Sequence, residues 1–363
     1  MNGEIKVVIV DDSASVRQIL KDILSQDPSI LVTAIASNPE IAMKSMEKDW
    51  PDVIISDIEM PVKDGISFTK EIMSTHPTPV VICSALTENN VKLSMEAMAA
   101  GAIEVISKPK VGMKNFLYES ALTLIDSVKS AAGADVGKFK KVYTGSGLKV
   151  EPKFTADVIL APAAGRNHFI PSKKLVAIGA SAGGTQTIEE ILVQLPESTP
   201  GIVIVQHMPE NFTKAFAERL DKLCRVRVKE AENGELIHEG KVIIAAGNRH
   251  LIVESAGDAY KVVVKEGPLV CRHRPSVDVL FRSVSKCSGK NALGIILTGM
   301  GDDGANGMLE MKNAGIRTIA QDKATCIVFG MPKMAIERGG VNTILPLGEI
   351  PKAIMSFSGE KFN

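Results

Sequence analysis

The sequence lacks a net charge and a cysteine framework. Lysine and arginine total 42 residues, and aspartate and glutamate also total 42, so the chain is formally neutral at pH 7. Without a net positive field, broad binding to nucleic acid or to a membrane surface is not expected. The five cysteines are scattered and include no Cys-x-x-Cys pair. This distribution is typical of reduced thiols rather than of disulfides.

Long apolar runs are also missing. No uninterrupted apolar stretch reaches the roughly 20 residues that a membrane-spanning helix needs. The N-terminus enters a strand-like run directly and shows neither the charged start nor the apolar core of a signal peptide. We therefore expect a cytoplasmic protein without membrane insertion. At 363 residues and 45% hydrophobic composition, the chain is expected to form two globular domains.

The first 128 residues alternate short apolar runs with amphipathic stretches. Between Ser13 and Gln26, for example, Val16, Ile19 and Ile23 fall on one helical face. Five such βα units predict an α/β domain of the flavodoxin-like kind, a five-stranded parallel (βα)5 sheet covered on both sides by helices. The strand-like runs are KVVIV, ILVTAIA, DVIIS, PVVIC and AIEVIS.

The rest of the chain divides into a linker, a second domain and a tail. Residues 129–172 mix glycine, lysine and serine without a sustained period, which is typical of a linker. Alternation of strands and helices resumes over 173–357 and predicts a doubly wound, mostly parallel α/β domain. Within it, 226–265 shows only strands and turns, so we expect an antiparallel portion there. Residues 358–363 form a tail.

Polar side chains follow four strands of the first domain. Asp11 and Asp12 follow the first strand, Asp57 the third, Ser84 the fourth and Lys108 the fifth. Carboxyl strand ends form the ligand crevice of an open parallel sheet, and clustered carboxylates there favour a bound Mg²⁺. Any one of these residues alone is better explained as a solvated loop residue or a helix cap. Their joint placement favours a site.

The segments IVDDS, DIEMPVKDG, SALT and SKP resemble the receiver domain of bacterial response regulators over residues 1 to about 128. The resemblance implies that Asp57 accepts a phosphoryl group from a chemotaxis histidine kinase. It implies that Mg²⁺ is held by Asp11, Asp12 and Asp57. The side chains implied to contact the phosphoryl oxygens are Ser84 and Lys108.

The segment LVAIGASAGG, residues 175–184, is an apolar run that ends in a serine flanked by glycines. It fits G-x-S-x-G, in which a tight strand-to-helix turn presents a nucleophilic serine, here Ser181. Amides at the start of the following helix, those of Ala182, Gly183 and Gly184, are candidate oxyanion donors. A phosphate-binding loop and a plain turn are the alternatives.

The next strand favours catalysis over dinucleotide binding. A dinucleotide loop would have glycine where Ser181 stands and an acidic residue at the end of the following strand. That strand, 201–205, leads instead into Gln206 and His207. A lone histidine is more often a cap or a surface group. His207, however, is predicted to lie on the same sheet edge as Ser181.

A third polar group follows a later strand in LGIILTGMGDDGANG. Asp302 or Asp303 is positioned to orient the imidazole, although either could instead cap the next helix. A nucleophile, a base and an orienting carboxylate on three strand ends form a triad. Its chain order Ser…His…Asp differs from that of α/β-hydrolases, Ser…Asp…His.

The second half resembles the catalytic domain of chemotaxis-receptor protein-glutamate methylesterases, the CheB type, over about 172–357. The matching segments are IGASAGG, VQHMP, HRPSVDVLFRS, LTGMGDDGA and VFGMPK. The family's catalytic residues fall on Ser181, His207 and Asp303. The resemblance implies an acyl-enzyme hydrolysis of glutamate methyl esters, and deamidation of glutamines, on the cytoplasmic domains of methyl-accepting chemoreceptors.

Regulation and partners follow from the same resemblance. It implies that the unphosphorylated receiver covers the catalytic face and that phosphorylation loosens this packing. We expect a monomer, with no cofactor in the catalytic domain. The alternatives are a serine hydrolase acting on a different target and a non-catalytic binding output. Arg272 and Arg274 can pair either with an acidic receptor surface or with the protein's own carboxylates.

Overall fold

The computed structural model describes residues 4–85, 87–108, 114–138 and 170–359. Residues 139–169 of the predicted linker and 360–363 of the predicted tail lie outside the described residues. Two α/β units are present, one on each side of that linker. No helix in the described part of the chain combines the length and apolar character needed to cross a membrane.

The N-terminal unit is a five-stranded parallel sheet of order β2-β1-β3-β4-β5. This order confirms the predicted flavodoxin-like topology. Its elements are β1 (Ile5–Val10), α1 (Ala14–Leu24), β2 (Ile30–Ala36), α2 (Pro39–Met46), β3 (Val53–Ser56), α3 (Gly65–Thr75), β4 (Val80–Ser84), α4 (Glu88–Ala99), β5 (Glu104–Ser107) and α5 (Lys114–Ala132).

Local sequence explains how these elements begin and which faces they bury. Ser13 caps α1 by accepting a hydrogen bond from the amide of Val16, which satisfies one of the free amides of the first turn. Leu20, Ile23 and Leu24 are the buried face of that helix. The central strands are apolar on both sides because helices cover both faces of the sheet.

The C-terminal unit is built on a seven-stranded sheet of order β14-β13-β12-β6-β7-β9-β8, in which every pair is parallel. Its elements are β6 (Leu175–Ala180), α6 (Gly184–Leu192), β7 (Gly201–Gln206), α7 (Phe212–Leu223), β8 (Arg227–Glu230), β9 (Lys241–Ile244), β10 (His250–Ala256), β11 (Ala259–Lys265), α8 (Val277–Cys287), β12 (Ala292–Ile296), α9 (Ala305–Asn313), β13 (Arg317–Gln321), α10 (Met331–Glu337), β14 (Thr343–Leu345) and α11 (Ile350–Ser358).

The predicted antiparallel portion is a separate two-stranded sheet of β10 and β11. These two strands are joined by a tight turn with Gly257 in the left-handed region, φ 64°, as antiparallel neighbours allow. By contrast, β8 and β9 are separated by residues 231–240, and this longer connection returns the chain so that the two strands pair in parallel. The strand-and-turn pattern of 226–265 does not distinguish these two outcomes.

Strand β6 lies between β12 and β7 and sets the position of the polar loops. Ala180 pairs with Gln206, and Gly179 pairs with Ile296. The loops that follow β6, β7 and β12 therefore leave the sheet side by side at its carboxyl edge. The strand order also changes direction here, which is where open α/β sheets bind ligands.

The two units contact each other next to this edge. Helix α4 packs against α6 and α7. Ile103 and Val136 of the N-terminal unit form a buried apolar cluster with Ala182, Ile327 and Val328. The contact therefore reaches the loop that directly follows β6.

Candidate active site

Ser181 occupies a loop that hydrogen bonds hold in place. Its amide donates to the carbonyl of Thr298 at 3.0 Å. Its own carbonyl accepts from the amide of Gly184 at 2.7 Å and from Nε2 of Gln206 at 2.9 Å. Only 8% of Ser181 is exposed. The loop is thus anchored to the neighbouring strand ends on both sides.

Two glycines make the turn possible. Gly183 has φ 74° and caps α6, a left-handed conformation that favours glycine. A Cβ on Gly183 would lie 2.7 Å from the Cβ of Ile327, and one on Gly184 would lie 2.1 Å from Oε1 of Gln206. Gly183, the last residue of G-x-S-x-G, and Gly184, which follows it, are therefore required by close packing.

His207 and Asp303 are in direct contact. Nε2 of His207 lies 2.8 Å from Oδ2 of Asp303, and both residues are buried. The same carboxylate accepts hydrogen bonds from the amides of Val277 and Asp278 and from the hydroxyl of Ser276, at the start of α8. Burial opposes the charged form, but the bonds from His207 and the amides outweigh it and lower the pKa of Asp303.

Asp302 has a different partner from Asp303. It forms an ion pair with Arg338 at 2.6 Å and is 42% exposed at its side chain. Of the two candidate aspartates, Asp303 is therefore the one that contacts the imidazole.

Ser181 and His207 line one cavity of about 330 Å³. Within the described residues, Nδ1 of His207 is buried and has no hydrogen-bond partner, so the serine hydroxyl is not bonded to it. The structure brings His207 and Asp303 together and places Ser181 in the same cavity. It does not join the serine to the histidine. Nucleophile–base hydrogen bonds are often long before substrate binds.

His273 is a neighbour that the sequence did not reveal. Its ring stacks on that of His207, with 3.7 Å between centroids and 12° between planes. Burial, together with the nearby His207, lowers the pKa of His273 to about 3, so this imidazole is neutral at physiological pH. In the sequence it stands between two arginines, and no spacing relates it to His207.

The three candidate oxyanion amides differ in their partners. The amide of Gly184 donates to the carbonyl of Ser181, and that of Gly183 donates to the carbonyl of Ile103 in the N-terminal unit at 3.2 Å. The third candidate is the amide of Ala182. Contact between the two units thus engages a backbone group of the serine loop itself.

The acidic crevice of the N-terminal unit assembles largely as predicted. Carboxylate oxygens of Asp11, Asp12 and Asp57 lie within 4.8 Å of one another. Nζ of Lys108 lies 2.8 Å from Oδ2 of Asp11 and 2.7 Å from Oδ2 of Asp57. Ser84 is buried at the end of β4, with its hydroxyl directed to the carbonyl of the next residue at 3.4 Å.

This donor set fits a magnesium ion. All three groups offer carboxylate oxygen, the ligand type that Mg²⁺ prefers. Burial raises the pKa of Asp57, while the ammonium of Lys108 opposes that rise. A divalent cation would favour the charged form in the same way as Lys108 does.

A second group of possible ligand atoms lies beside Asp303. Atoms of Cys271, Asp278 and Asp303 come within 4.8 Å of one another. Burial raises the pKa of Cys271 to about 12, so its thiol stays protonated and is a poor ligand. The carboxylate of Asp303 is already occupied by four hydrogen bonds. This group is therefore poorly suited to a metal.

The two arginines beside His273 have different partners. Arg274 donates to Oδ1 of Asn248 and to the carbonyl of Gly267, so it holds its own loop. Arg272 forms an ion pair with Asp126 of α5 at 3.0 Å, across the contact between the two units. In this structure the partner of Arg272 is one of the protein's own carboxylates.

These features define a class of protein. A flavodoxin-like unit with an acidic strand-end crevice is joined to an α/β unit that brings serine, histidine and aspartate to adjacent strand ends. This is the architecture expected of a response regulator with a hydrolase output. The family model for the response regulator receiver domain matches residues 7–115, and that for CheB methylesterase matches residues 176–354.

Curated relatives match nearly the whole chain. A protein-glutamate methylesterase/protein-glutamine glutaminase of Xanthomonas campestris pv. campestris is 54% identical over 349 residues, covering 96% of this chain and 99% of the relative. One from Geobacter metallireducens is 52% identical over 356 residues, covering 98% and 99%. The chain belongs to the family of CheB methylesterases with a receiver domain, and is therefore an enzyme of the carboxylic ester hydrolase class.

A solved structure resembles the C-terminal unit. The CheB methylesterase catalytic domain of Thermotoga maritima is 40% identical to this chain, with a TM-score of 0.49. The match covers 50% of this chain and 97% of that domain.

Proposed function

We propose that this protein hydrolyses glutamate methyl esters, and deamidates glutamines, on the cytoplasmic domains of chemoreceptors under the control of phosphorylation, and thereby adapts chemotaxis signalling. The names of the relatives support the substrate class. The contact of His207 with Asp303, in the cavity that Ser181 also lines, carries the proposed chemistry. The receiver function is assigned to residues 1–128 and the esterase function to residues 173–357.

In the first step, His207 acts as the general base. Asp303 accepts a hydrogen bond from the Nε2–H of His207 and so leaves Nδ1 as the nitrogen that takes the proton of Ser181. The serine oxygen attacks the ester carbonyl, a new O–C bond forms, and the bond to the methoxy group breaks. The proton passes from Nδ1 to the leaving group, which departs as methanol, or as ammonia when the substrate is an amide.

In the second step, water hydrolyses the acyl-enzyme. His207 removes a proton from the water, the hydroxide attacks the acyl carbon, and Ser181 regains its proton as the glutamate carboxylate is released. Of the three predicted donors Ala182, Gly183 and Gly184, the oxyanion in both steps is assigned to the amide of Ala182 and, once the receiver releases it, that of Gly183, because the amide of Gly184 is bonded to the carbonyl of Ser181. Loss of one such donor costs about 3 kcal/mol in related chemistry.

The receiver unit supplies the control. Asp57 accepts a phosphoryl group from a chemotaxis histidine kinase, and Ser84 and Lys108 contact its oxygens. Mg²⁺ held by Asp11, Asp12 and Asp57 would neutralise charge that develops on the phosphoryl group.

The unphosphorylated receiver restricts access to the serine loop. This proposal is supported by the hydrogen bond from the amide of Gly183 to Ile103 and by the position of α5 along the cavity. Phosphorylation adds charge to the crevice and shifts the equilibrium of this contact toward the open form. We assign the working state to the monomer, because the chain supplies both parts of the site.

Methanol release tests the proposal. The full chain is incubated with a chemoreceptor cytoplasmic fragment that carries tritiated methyl esters, with and without a small phosphodonor. We expect release that rises with the donor, is abolished by Ser181→Ala, and no longer responds to the donor in Asp57→Asn. Ser285→Ala, a serine of α8 outside the cavity, is the matched control. Full release by Ser181→Ala would refute the assigned nucleophile.

A further inference from the structure

Helix α5 lies along the cavity that contains Ser181 and His207. The side chains of α5 that line the cavity are Leu122, Thr123, Leu124, Asp126, Ser127 and Ser130. Leu122, Asp126 and Ser130 are spaced by four residues and so form one stripe of a helix. In this structure a helix, α5, therefore lies lengthwise along the cavity.

One charged contact fixes this helix against the catalytic unit. Nη1 of Arg272 donates to both carboxylate oxygens of Asp126, at 3.0 and 3.3 Å. Arg272 adjoins His273, whose ring stacks on His207. The guanidinium is therefore held at the wall of the cavity beside the proposed general base.

The other charged groups along the cavity do not duplicate this contact. Arg274 is tied to Asn248 and to the carbonyl of Gly267, and Asp302 is paired with Arg338. The remaining carboxylates are Glu104, in the receiver, and Glu210, in the catalytic unit. Among the described charged groups that line the cavity, Arg272 is thus the cation that a bound helix can engage.

Another carboxylate can readily replace Asp126 as the partner of Arg272. The side chains of Arg272 and Asp126 are 62% and 31% exposed, and exposed ion pairs of this kind contribute little to stability. Such a contact is weak as a clamp between domains. A second carboxylate brought to the same place can replace Asp126 at little cost, and the planar guanidinium suits a carboxylate in particular.

We propose that Arg272 is a specificity-determining residue that binds a carboxylate on the substrate helix, and that Asp126 of α5 occupies the place of that carboxylate in the closed form. The inference rests on the proposed function in treating the bound helix as substrate. On this stripe of α5, the other two cavity-lining residues, Leu122 and Ser130, lie four residues before and four residues after Asp126. Arg272 adjoins His273, which stacks on His207, so the acidic residue of the substrate is assigned to the same helical face as the reacting glutamate, and a spacing of four residues places both side chains on that face.

Three synthetic helical peptides of equal length test the proposal. Each carries one glutamate methyl ester at its centre. The first has glutamate four residues before and after the ester, the second has glutamine there, and the third has its two glutamates shifted by two residues to the opposite face. The third peptide separates a positioned carboxylate from net charge.

Binding is measured by fluorescence anisotropy in the presence of the phosphodonor, which favours the open form, on the full chain carrying Ser181→Ala, to prevent turnover, and Asp126→Asn, to free Arg272. The first peptide is expected to bind about tenfold more tightly than the other two. Arg272→Gln is expected to remove this preference, and Arg272→Lys to retain part of it. Arg282→Gln, in an exposed arginine paired with Glu310 outside the cavity, is the matched control and is expected to keep it.

Two results would overturn the inference. The first is that Arg272→Gln prefers the first peptide as strongly as the protein with Arg272 does, and the second is that no peptide binds. Methanol release from the same peptides by Asp126→Asn with Ser181 intact tests the proposed function separately. Selective binding without methanol release would reject the esterase proposal and leave the role of Arg272 in place. Release without a charge preference would reject the role of Arg272 alone.

Discussion

The imidazole of His273 lies face to face with that of His207, with 3.7 Å between ring centroids. His207 is held at one nitrogen by Asp303 and over one face by this neutral ring. A hydrogen bond at one atom leaves rotation about that bond free, and a stacked ring restricts it. His273 is thus a positioning residue for the proposed general base.

Replacing His273 tests this positioning. We expect His273→Ala to lower kcat about tenfold with little change in KM, because His207 gains rotational freedom. His273→Phe preserves a flat ring and should retain most of the rate. Steady-state kinetics with methylated receptor fragment provides both constants. An equal loss in the two variants would point to a role for the His273 nitrogens instead of ring stacking.

Asp303 and Asp302 form a matched pair for a second test. Asp303→Asn keeps the size of the side chain but replaces one acceptor oxygen with a donor, so it disfavours the required tautomer of His207. We expect kcat to fall on the order of 10³-fold or more. Asp302→Asn loses only the exposed pair with Arg338 and should stay within about threefold of the parent. Comparable losses in the two variants would contradict the proposed triad.

Gln186 links the serine-bearing unit to the receiver. Its Nε2 donates to the carbonyls of Met98 and Ala102 at 2.8 and 3.1 Å, and the residue is buried. Loss of two hydrogen bonds worth about 1 kcal/mol each shifts the ratio of open to closed forms by roughly thirtyfold. We therefore expect Gln186→Ala to raise methanol release by the unphosphorylated protein severalfold, with a smaller change after phosphodonor is added.

Gln194→Ala is the control for Gln186, since Gln194 donates to the carbonyl of Glu190 in the same unit and does not bridge the units. It should leave the unphosphorylated rate near that of the parent. If Gln186→Ala also leaves that rate near the parent value, this contact does not restrict access to the serine loop.

The sequence predicts the parts of the two sites that depend on strand ends. In a parallel sheet, a residue just after a strand must lie at the carboxyl edge. The positions of Ser181 and His207, and of Asp57 and Lys108, therefore follow from the strand pattern alone. The choice between Asp302 and Asp303 does not, because adjacent residues after a strand point in different directions.

Contacts made through loops and between units were beyond the sequence. His273 reaches His207 through a connection between β11 and α8 that has no periodic pattern. Asp126 and Arg272 are 146 residues apart in the chain, and their contact depends on how the two units dock. Hydrophobic periodicity specifies which face of an element is buried, but not which partner buries it.

We expect Glu104 to make the stability of the receiver depend on pH. It is half-buried on β5 and lines the cavity, and burial, opposed by a hydrogen bond from Ser127, raises its pKa to about 7. A carboxyl group whose pKa is raised by folding stabilises the folded state most at pH values below its ordinary pKa near 4.5. This stabilisation is lost as the pH rises through 7. Between pH 6 and pH 8 we expect the free energy of unfolding to fall by about 1 kcal/mol more in the parent than in Glu104→Gln.

Trp50 allows this difference to be measured in the full chain. It is the single tryptophan of the sequence, it lies in the receiver, and it stacks on His76 and donates to Thr78, so its fluorescence reports the unfolding of that unit. Urea titrations at pH 6 and pH 8 give the two free energies. Glu96→Gln, in an exposed glutamate of α4, should follow the parent at both pH values. If Glu104→Gln also follows the parent, the carboxyl group does not titrate in this range, and the pH dependence has another source.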